Sequence, residues 1–479
     1  MPAVQSPVEP PRPAVTEPWR WGAVLIPGIA LYFLPLPGLN GVQRHLLAVF
    51  IATIVALVAQ PVPMGVSVLV AMTTLALTGT ISYAKVLSGF ANQTVWLIFT
   101  AFLFARAITA SGFGMRVAYL FIRRFGHSAL TLGYSVAASN LVLAPFVPSD
   151  TARGGGIIFP ITRSLAQVLR SEPGASARKV GAFLMLVGFH STYSSSAMFL
   201  TGMASNALIA EFARTMGHVE VSWGTWALGA IVPGLLTLVA MPYLIYRLHP
   251  PEERDTESAR ALARDELARM GPMTRNERWL VAVMLCVMGG WVTSPWHGTP
   301  NAFVALSGVC AILVFRVLEW KELLSEHRAW DALIWFAPLI MMADQLNEVG
   351  VIKVISSGIF AQMHGWAWPA ALFLLTTSYL YAHYTFASMT AQVTALYQGF
   401  FGAALMAGSP PLLAALSLGY FSNLNASLTH YGTGSAPVFF GAGYVSQGTW
   451  WRLGFLISLL DIVMWIGVGS LWWKLLGWW

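Results

Sequence analysis

The sequence predicts an all-α, polytopic membrane protein. Of its 479 residues 56% are hydrophobic and only 10% charged, with a mean hydropathy of +0.64, whereas a soluble globular domain carries roughly a quarter charged residues. Apolar runs long enough to cross a bilayer recur almost from end to end. Basic residues outnumber acidic ones 27 to 20, and Arg116, Arg123, Arg124, Arg163, Arg170, Arg178 and Lys179 stand between or beside those runs, where loop Lys and Arg help to set topology. This composition excludes a soluble enzyme. The excess of +7 forms no single patch, so no nucleic-acid footprint is present.

The elements follow in order. Residues 1–20 are proline-rich, carry Glu9 and Glu17, and lack the basic, apolar and small-residue regions of a signal peptide; they read as a disordered cytoplasmic tail. Spans near 21–38, 43–60 and 64–80 make N-terminal scaffold helices (21–82). An apolar region over 93–168, interrupted by Arg, Gly and Pro, and a span near 180–213 make a first core (83–215), and 223–248 a scaffold helix (216–248). The only strongly charged stretch, 249–278, divides the chain as a cytoplasmic linker. Its Glu257/Arg260 and Asp265/Arg269 spacings predict a solvated surface helix. Beyond it come scaffold spans near 279–296 and 300–318 (279–328), then a broken stretch at 331–363 and runs near 367–407 and 411–445 (second core, 329–445). A C-terminal span near 451–475 (446–479) follows, whose Trp472, Trp473, Trp478 and Trp479 suit an interfacial belt. Cys286 and Cys310 each sit alone in apolar surroundings, which leaves no disulfide framework and no metal-ligand spacing.

The two halves echo each other. SDTA at 149–152 and TGMA at 201–204 are matched in the same order by SMTA at 388–391 and TGSA at 433–436. Gly112 and Gly350 end aromatic-apolar runs 37 residues (149 − 112) and 38 residues (388 − 350) before the first element of each half. Three elements in register mark a structural repeat, the construction of many secondary transporters.

The echoed elements are also where membrane helices must break. Pro145, Pro148 and Gly154 to Gly156 flank the first S-x-T-A, and broken backbone at membrane depth survives only where protein or a cavity satisfies it. Ser149 and Thr151 offer oxygens there, and Asp150 and Arg153 add charges; the two pair with each other or serve a ligand. An intramembrane Arg is costly and demands a role. His383, Thr385, Ser388 and Thr390 occupy the second counterpart, as ligand groups or as interhelical hydrogen-bond glue. Thr201, Gly202, Thr433 and Gly434 sit in segments too rich in Ser, Thr, Asn and Gly to face lipid, and read as cavity lining. His190 and His430 fit packing and ligand contact equally. Arg106 and Asp344 read as anchors or gates and Asp461 as a packing residue. No Walker A, H-E-x-x-H or nucleophile elbow occurs.

With these motifs the chain resembles the divalent anion:sodium symporter family from about residue 85 to 460. PSDTARGGG, HYTFASMTA and LTHYGTGSAPVFFGAGYV are similar to its branch of citrate/succinate and tartrate/succinate antiporters and plastid 2-oxoglutarate/malate translocators. The resemblance implies two inverted repeats with re-entrant hairpins and broken helices, about eleven transmembrane helices, a homodimer and an elevator movement. It places hairpins over 89–99, with Asn92 and Thr94, and over 330–350. It puts Ser149, Asp150, Thr151, Ser388, Met389 and Thr390 where sodium-dependent carriers have paired Ser-Asn-Thr motifs. Here the two Asn positions hold Asp150 and Met389, and Met has no amide oxygen.

The expected function is therefore secondary active exchange of di- or tricarboxylates (succinate, malate, 2-oxoglutarate, tartrate or citrate) across the bacterial inner membrane, with no enzyme activity and no cofactor. Ser149, Asp150, Thr151, Arg153, Asn92, Thr94, Thr201, Gly202, His383, Ser388, Thr390, His430, Thr433 and Gly434 are the expected binding residues. Arg153, with His383 or His430, supplies the positive charge that sodium brings elsewhere. The alternative is sodium- or proton-coupled symport, with Na+ held by Ser149, Asp150 and Ser388. The lipid bilayer is the other partner.

Overall fold

The computed structural model describes residues 18–36, 38–363 and 365–479; residues 1–17 of the expected tail lie outside it, and 18–20 open the helix Pro18–Phe33. The described residues form helices joined by short turns, with one isolated β-bridge, Ser128 to Asp255. Five helices are long and apolar enough to cross a membrane: Gly41–Ala59, Gln93–Ser111, Ala129–Phe146, Trp223–Leu248 and Gln447–Leu475.

Both halves run through the same order of elements. Gln93–Ser111 ends at Gly112 (φ 74°) and His327–Glu348 is followed by Gly350 (φ 86°), left-handed positions that only glycine takes without strain. Phe113–Phe125 and Val351–Ala361 follow these glycines. Each half then places a helix, a 3-10 turn, a tip and a π-helix. The first runs Ala129–Leu143, Ala144–Phe146, residues 147–150 and Thr151–Ile158, continuing in Phe159–Val168. The second runs Trp368–Ala382, His383–Thr385, residues 386–388, Met389–Gln392 and Val393–Tyr397, continuing in Gln398–Met406.

Each of these segments is a hairpin, which reassigns the reversals expected at 89–99 and 330–350. Those ranges lie largely in the continuous helices Gln93–Ser111 and His327–Glu348. In the second segment the Tyr379 and Phe400 rings meet with centroids 5.5 Å apart; on one straight helix they would stand about 30 Å apart. In the first, both legs meet Gly188 of the helix Gly181–Met198: Asn140 Nδ2 donates to Gly188 O at 3.4 Å, and a Cβ on Gly188 would lie 3.3 Å from Thr162 Oγ1. The linker joins the start of the first leg, where Ala129 N donates to Arg254 O at 3.0 Å, to the turn before Gly181–Met198, where Glu252 N and Glu253 N donate to Arg178 O and Lys179 O at 3.0 and 2.9 Å.

Two broken helices complete the core. Gly181–Met198 passes through a 3-10 turn, Leu200–Gly202, into Ala204–Gly217. Pro411–Leu424 passes through Asn425–Leu428 and an irregular stretch into Ala436–Gly441. Every residue of Gly181–Met198 is buried, so its hydroxyl-rich sequence faces protein.

The linker is the helix Glu257–Met270. Glu257 binds Arg260 at 2.7 Å as expected, and also Arg264 at 2.8 Å; Arg269 takes Glu266 at 2.9 Å rather than Asp265. The hydrogen bond from Arg260, with help from Arg264, holds the Glu257 carboxyl below its ordinary value. The following helix, Arg275–Val292, starts on a Thr274/Glu277 capping box. There Glu277 receives a buried two-pronged bond from Arg116 (2.6 and 3.1 Å), which fastens Phe113–Phe125 to it.

Candidate substrate site at the hairpin tips

Tips and breaks leave backbone groups without helical partners, and the polar side chains of the four echoed motifs are spent largely on satisfying them. Ser149 Oγ accepts from Ala152 N at 3.1 Å and Ser388 Oγ from Ala391 N at 3.3 Å. Both serines cap the helix leaving their tip in the same way. Thr151 and Ser388 remain exposed, and Ser149 and Thr390 half-buried, so these hydroxyls are the tip oxygens open to a ligand.

Asp150 is buried and reaches across the molecule. Its Oδ2 accepts from Thr433 Oγ1 at 2.6 Å and Ser435 Oγ at 2.5 Å, joining the first tip to the second break. Gly434 lets this approach happen, because a Cβ there would collide with Thr151 Oγ1. The Asp150–Arg153 pair left open by the sequence does not form. Arg153 is wholly buried, with Nη1 donating to Val147 O (2.8 Å) and Gly202 O (3.3 Å) and Nη2 to Thr192 O (2.8 Å) and Ser196 Oγ (2.5 Å). Its fork fastens the first tip to the first broken helix, a geometry that a planar guanidinium supplies.

Thr201 Oγ1 donates to Pro145 O at 2.6 Å and accepts from Trp223 Nε1 at 3.0 Å, pinning the first break to the turn before the first tip. Gly202 packs where a Cβ would lie 2.6 Å from Ser196 O. On the second side, buried His383 pairs through Nδ1 with Gln392 Oε1 (2.6 Å) and through Nε2 with Gly432 O (2.8 Å). Gln392 also donates to Tyr379 O (2.6 Å) and accepts from Asn425 Nδ2 (2.5 Å).

Three expected site residues stand apart. His430 accepts from Trp451 Nε1 at 3.0 Å and packs on Phe440. Asn92 caps Gln93–Ser111 through Thr94 N (2.8 Å), and its Nδ2 donates to Glu211 Oε1 at 3.0 Å; Thr94 Oγ1 donates to Glu211 Oε2 at 3.4 Å. These two line a cavity of about 900 Å³ with Glu211, Arg214 and Leu200, and none of the tip hydroxyls lines it. Arg106 lies 3.6 Å from Glu322, and Lys353 is exposed. The sequence reading missed Gln392, Ser435, Thr192 and Ser196, and the Asn423 to Asn206 bond at 2.8 Å that ties the two broken helices together. Gln392 and Ser435 adjoin or lie within the echoed motifs; Asn206 and Asn423 carry no local signal beyond their polar surroundings.

The two hairpin tips and two broken helices gather polar groups at one buried centre of a helical membrane body, and the relatives of this chain are membrane transporters. The chain belongs to the family described as "Sodium:sulfate symporter transmembrane region", whose model matches residues 16–479; the expected membership of the divalent anion:sodium symporters is thereby shown. It is 42% identical to dicarboxylate transporter 1, chloroplastic, of Arabidopsis thaliana, over 100% of this chain and 87% of that one. It is 33% identical to the L-tartrate/succinate antiporter of Escherichia coli (strain K12), over 95% of this chain and 98% of the relative. A Bacillus subtilis (strain 168) protein, YflS, whose name provisionally gives malate as the substrate, is 45% identical over 94% and 95%. Among solved structures, Neisseria gonorrhoeae MtrF shares the fold with a TM-score of 0.56 at 14% identity, over 95% of this chain and 93% of its own.

Proposed function

We propose that the protein exchanges di- or tricarboxylates across the bacterial inner membrane without sodium. Carboxylate transport is supported by the relatives named for dicarboxylates, tartrate and succinate. The observation that carries exchange is the fate of the second position of each S-x-T motif. Asp150 Oδ2 is committed to Thr433 and Ser435, and buried Met389 brings no oxygen. A sodium ion placed there finds one uncommitted oxygen, Asp150 Oδ1, where an Asn pair would offer two. The open hydroxyls of Thr151, Ser388, Ser149 and Thr390 are the groups assigned to the carboxylates. Arg153 holds its tip in place, and its charge reaches the anion through the bonds it fixes rather than by contact.

The parallel order of elements supports a pair of inverted repeats, and the hairpins with their broken helices are the body assigned to elevator movement within a homodimer. Emptied, such a body exposes unsatisfied tip oxygens and helix ends; a bound dianion satisfies them, which ties return to reloading.

The experiment is uptake of labelled succinate into proteoliposomes containing succinate, malate, citrate or no anion, each with and without a sodium gradient. Uptake that requires an internal carboxylate and ignores sodium is the expected result. Sodium-driven uptake into empty vesicles would overturn exchange in favour of symport, with Ser149, Asp150 and Ser388 as the ion's ligands.

A further inference from the structure

The C-terminal membrane helix carries a carboxyl that the transport site does not use. Asp461 lies 14 residues from either end of Gln447–Leu475 (461 − 447 and 475 − 461), and is wholly buried. It is the one carboxyl among the described residues with both oxygens buried and without a hydrogen-bond partner. An ionisable group at the middle of a membrane helix is by default functional.

A second, independent feature marks the same residue. The described chain contains three π-helices, and they start immediately after Asp150, Gln392 and Asp461. The first two of these residues are hubs of the hairpin tips. Helices of this kind gather at functional positions, and the third has only Asp461 to serve.

The surroundings define the ligand. From the first broken helix Tyr193 brings its hydroxyl within electrostatic reach of Asp461, and it is hydrogen-bonded to His190 Nδ1 at 2.6 Å. From the second broken helix comes Ser427, whose backbone oxygen is packed tightly against Gly454 of the Asp461 helix. From Trp223–Leu248 comes Thr237, committed to Trp465 at 3.0 Å; that helix bears Arg247 only at its end. On its own helix Asp461 is flanked on the buried face by Ile457, Ser458 and Trp465; Ser458 donates to Phe455 O and meets the hydroxyl of Tyr381, from Trp368–Ala382, at 3.2 Å. No cationic side chain forms an ion pair with it. A hard metal ion wants a shell of several oxygens, which these neighbours do not provide, whereas a proton needs only one acceptor oxygen.

We infer that Asp461 is a proton-binding site, set beside Tyr193, that takes up and returns one proton as the broken helices rearrange around the transported anion. The carboxylate oxygen gains the proton from solvent hydronium, leaving water, and gives it back to water in the reverse step; no other bond changes. The link to transport rests on the proposed carboxylate exchange; the proton site itself does not.

The test has two arms on the full-length protein. In difference infrared spectra of wild type in detergent across a pH series, a protonated-carboxyl C=O band is expected. It should shift in D2O, vanish in Asp461→Asn, and change frequency in Tyr193→Phe and in Asp461→Glu, so that a misfolded Asn variant leaves two others to read. In proteoliposomes the rate of wild-type succinate/malate exchange should vary across the same pH series, and Asp461→Asn should retain exchange with that pH dependence flattened. Absence of any Asp461-dependent band, its abolition by sodium, or an undiminished pH dependence in Asp461→Asn overturns the proposal. If wild type takes up no carboxylate the exchange reading fails, and the infrared arm still decides Asp461.

Discussion

Replacing Arg153 by Lys separates two roles that one cationic residue can play at a transport site. Lysine keeps the charge but loses the fork, and a single ammonium cannot reach Val147 O and Gly202 O on one side and Thr192 O and Ser196 Oγ on the other. Two of the four charge-assisted bonds are lost at about 1.5–3 kcal/mol each, or about 3–6 kcal/mol together, while the buried charge remains. Against a total stability of about 5–15 kcal/mol this is a severe loss. Arg153→Gln relieves the buried charge but strands Val147 O and Gly202 O, at about 1–3 kcal/mol each; Thr192 O keeps its bond from Ser196 Oγ. Both variants should therefore unfold well below wild type in a thermal melt of the purified protein, and both should lose uptake. If Arg153 acted by presenting charge to the substrate, Lys would transport and Gln would not. A Lys variant that melts within about 1 kcal/mol of wild type and keeps its uptake would refute the fixation argument.

Three further outcomes follow from the same contacts. Gly202→Ala drives a Cβ into Ser196 O and should cost about 1–3 kcal/mol or more, while Gly156→Ala, with nothing within 4 Å, should be neutral or slightly stabilising in the same melts. Glu277→Gln breaks the buried bond from Arg116 and should destabilise by about 3–5 kcal/mol, read as a lower denaturation midpoint. Because Glu257 titrates below its ordinary 4.5 when folded, the support it gives the linker helix is full above that value and is lost as pH falls through the folded one. Amide protection over Glu257–Met270 should decline in that window, and Glu257→Gln should remove the dependence.

The common order of elements in the two halves was legible because it rests on local chemistry: Gly112 and Gly350 are both left-handed, and the four small-polar motifs sit where helices break. The location of the hairpins was not legible. Pro145, Pro148 and Gly154 to Gly156 announce an interruption, but hydropathy does not distinguish a helix that resumes its course from one that doubles back, and that choice is made by Arg153 and by the meeting of both legs at Gly188. Asp150 and Arg153 looked like partners because they are three residues apart, yet their bonds run to Thr433 and Ser435 and to Thr192 and Ser196. Asn92 and Thr94 matched a tip motif in composition, but an Asn before a helix is first of all a cap, and the structure uses it so. Asp461, read as packing, lacks the partner that a packing role would require.

The lacing of the first hairpin to the linker has a practical consequence. Residues 252–254 form a strap between the first leg of the hairpin and the turn before Gly181–Met198. Under the proposed elevator movement the surface segment between the two halves would therefore travel with the hairpin rather than act as a slack tether. A fluorophore or spin label on an exposed linker position such as Glu253 would ride with the hairpin and report its displacement from outside the bilayer, leaving every residue of the buried centre untouched.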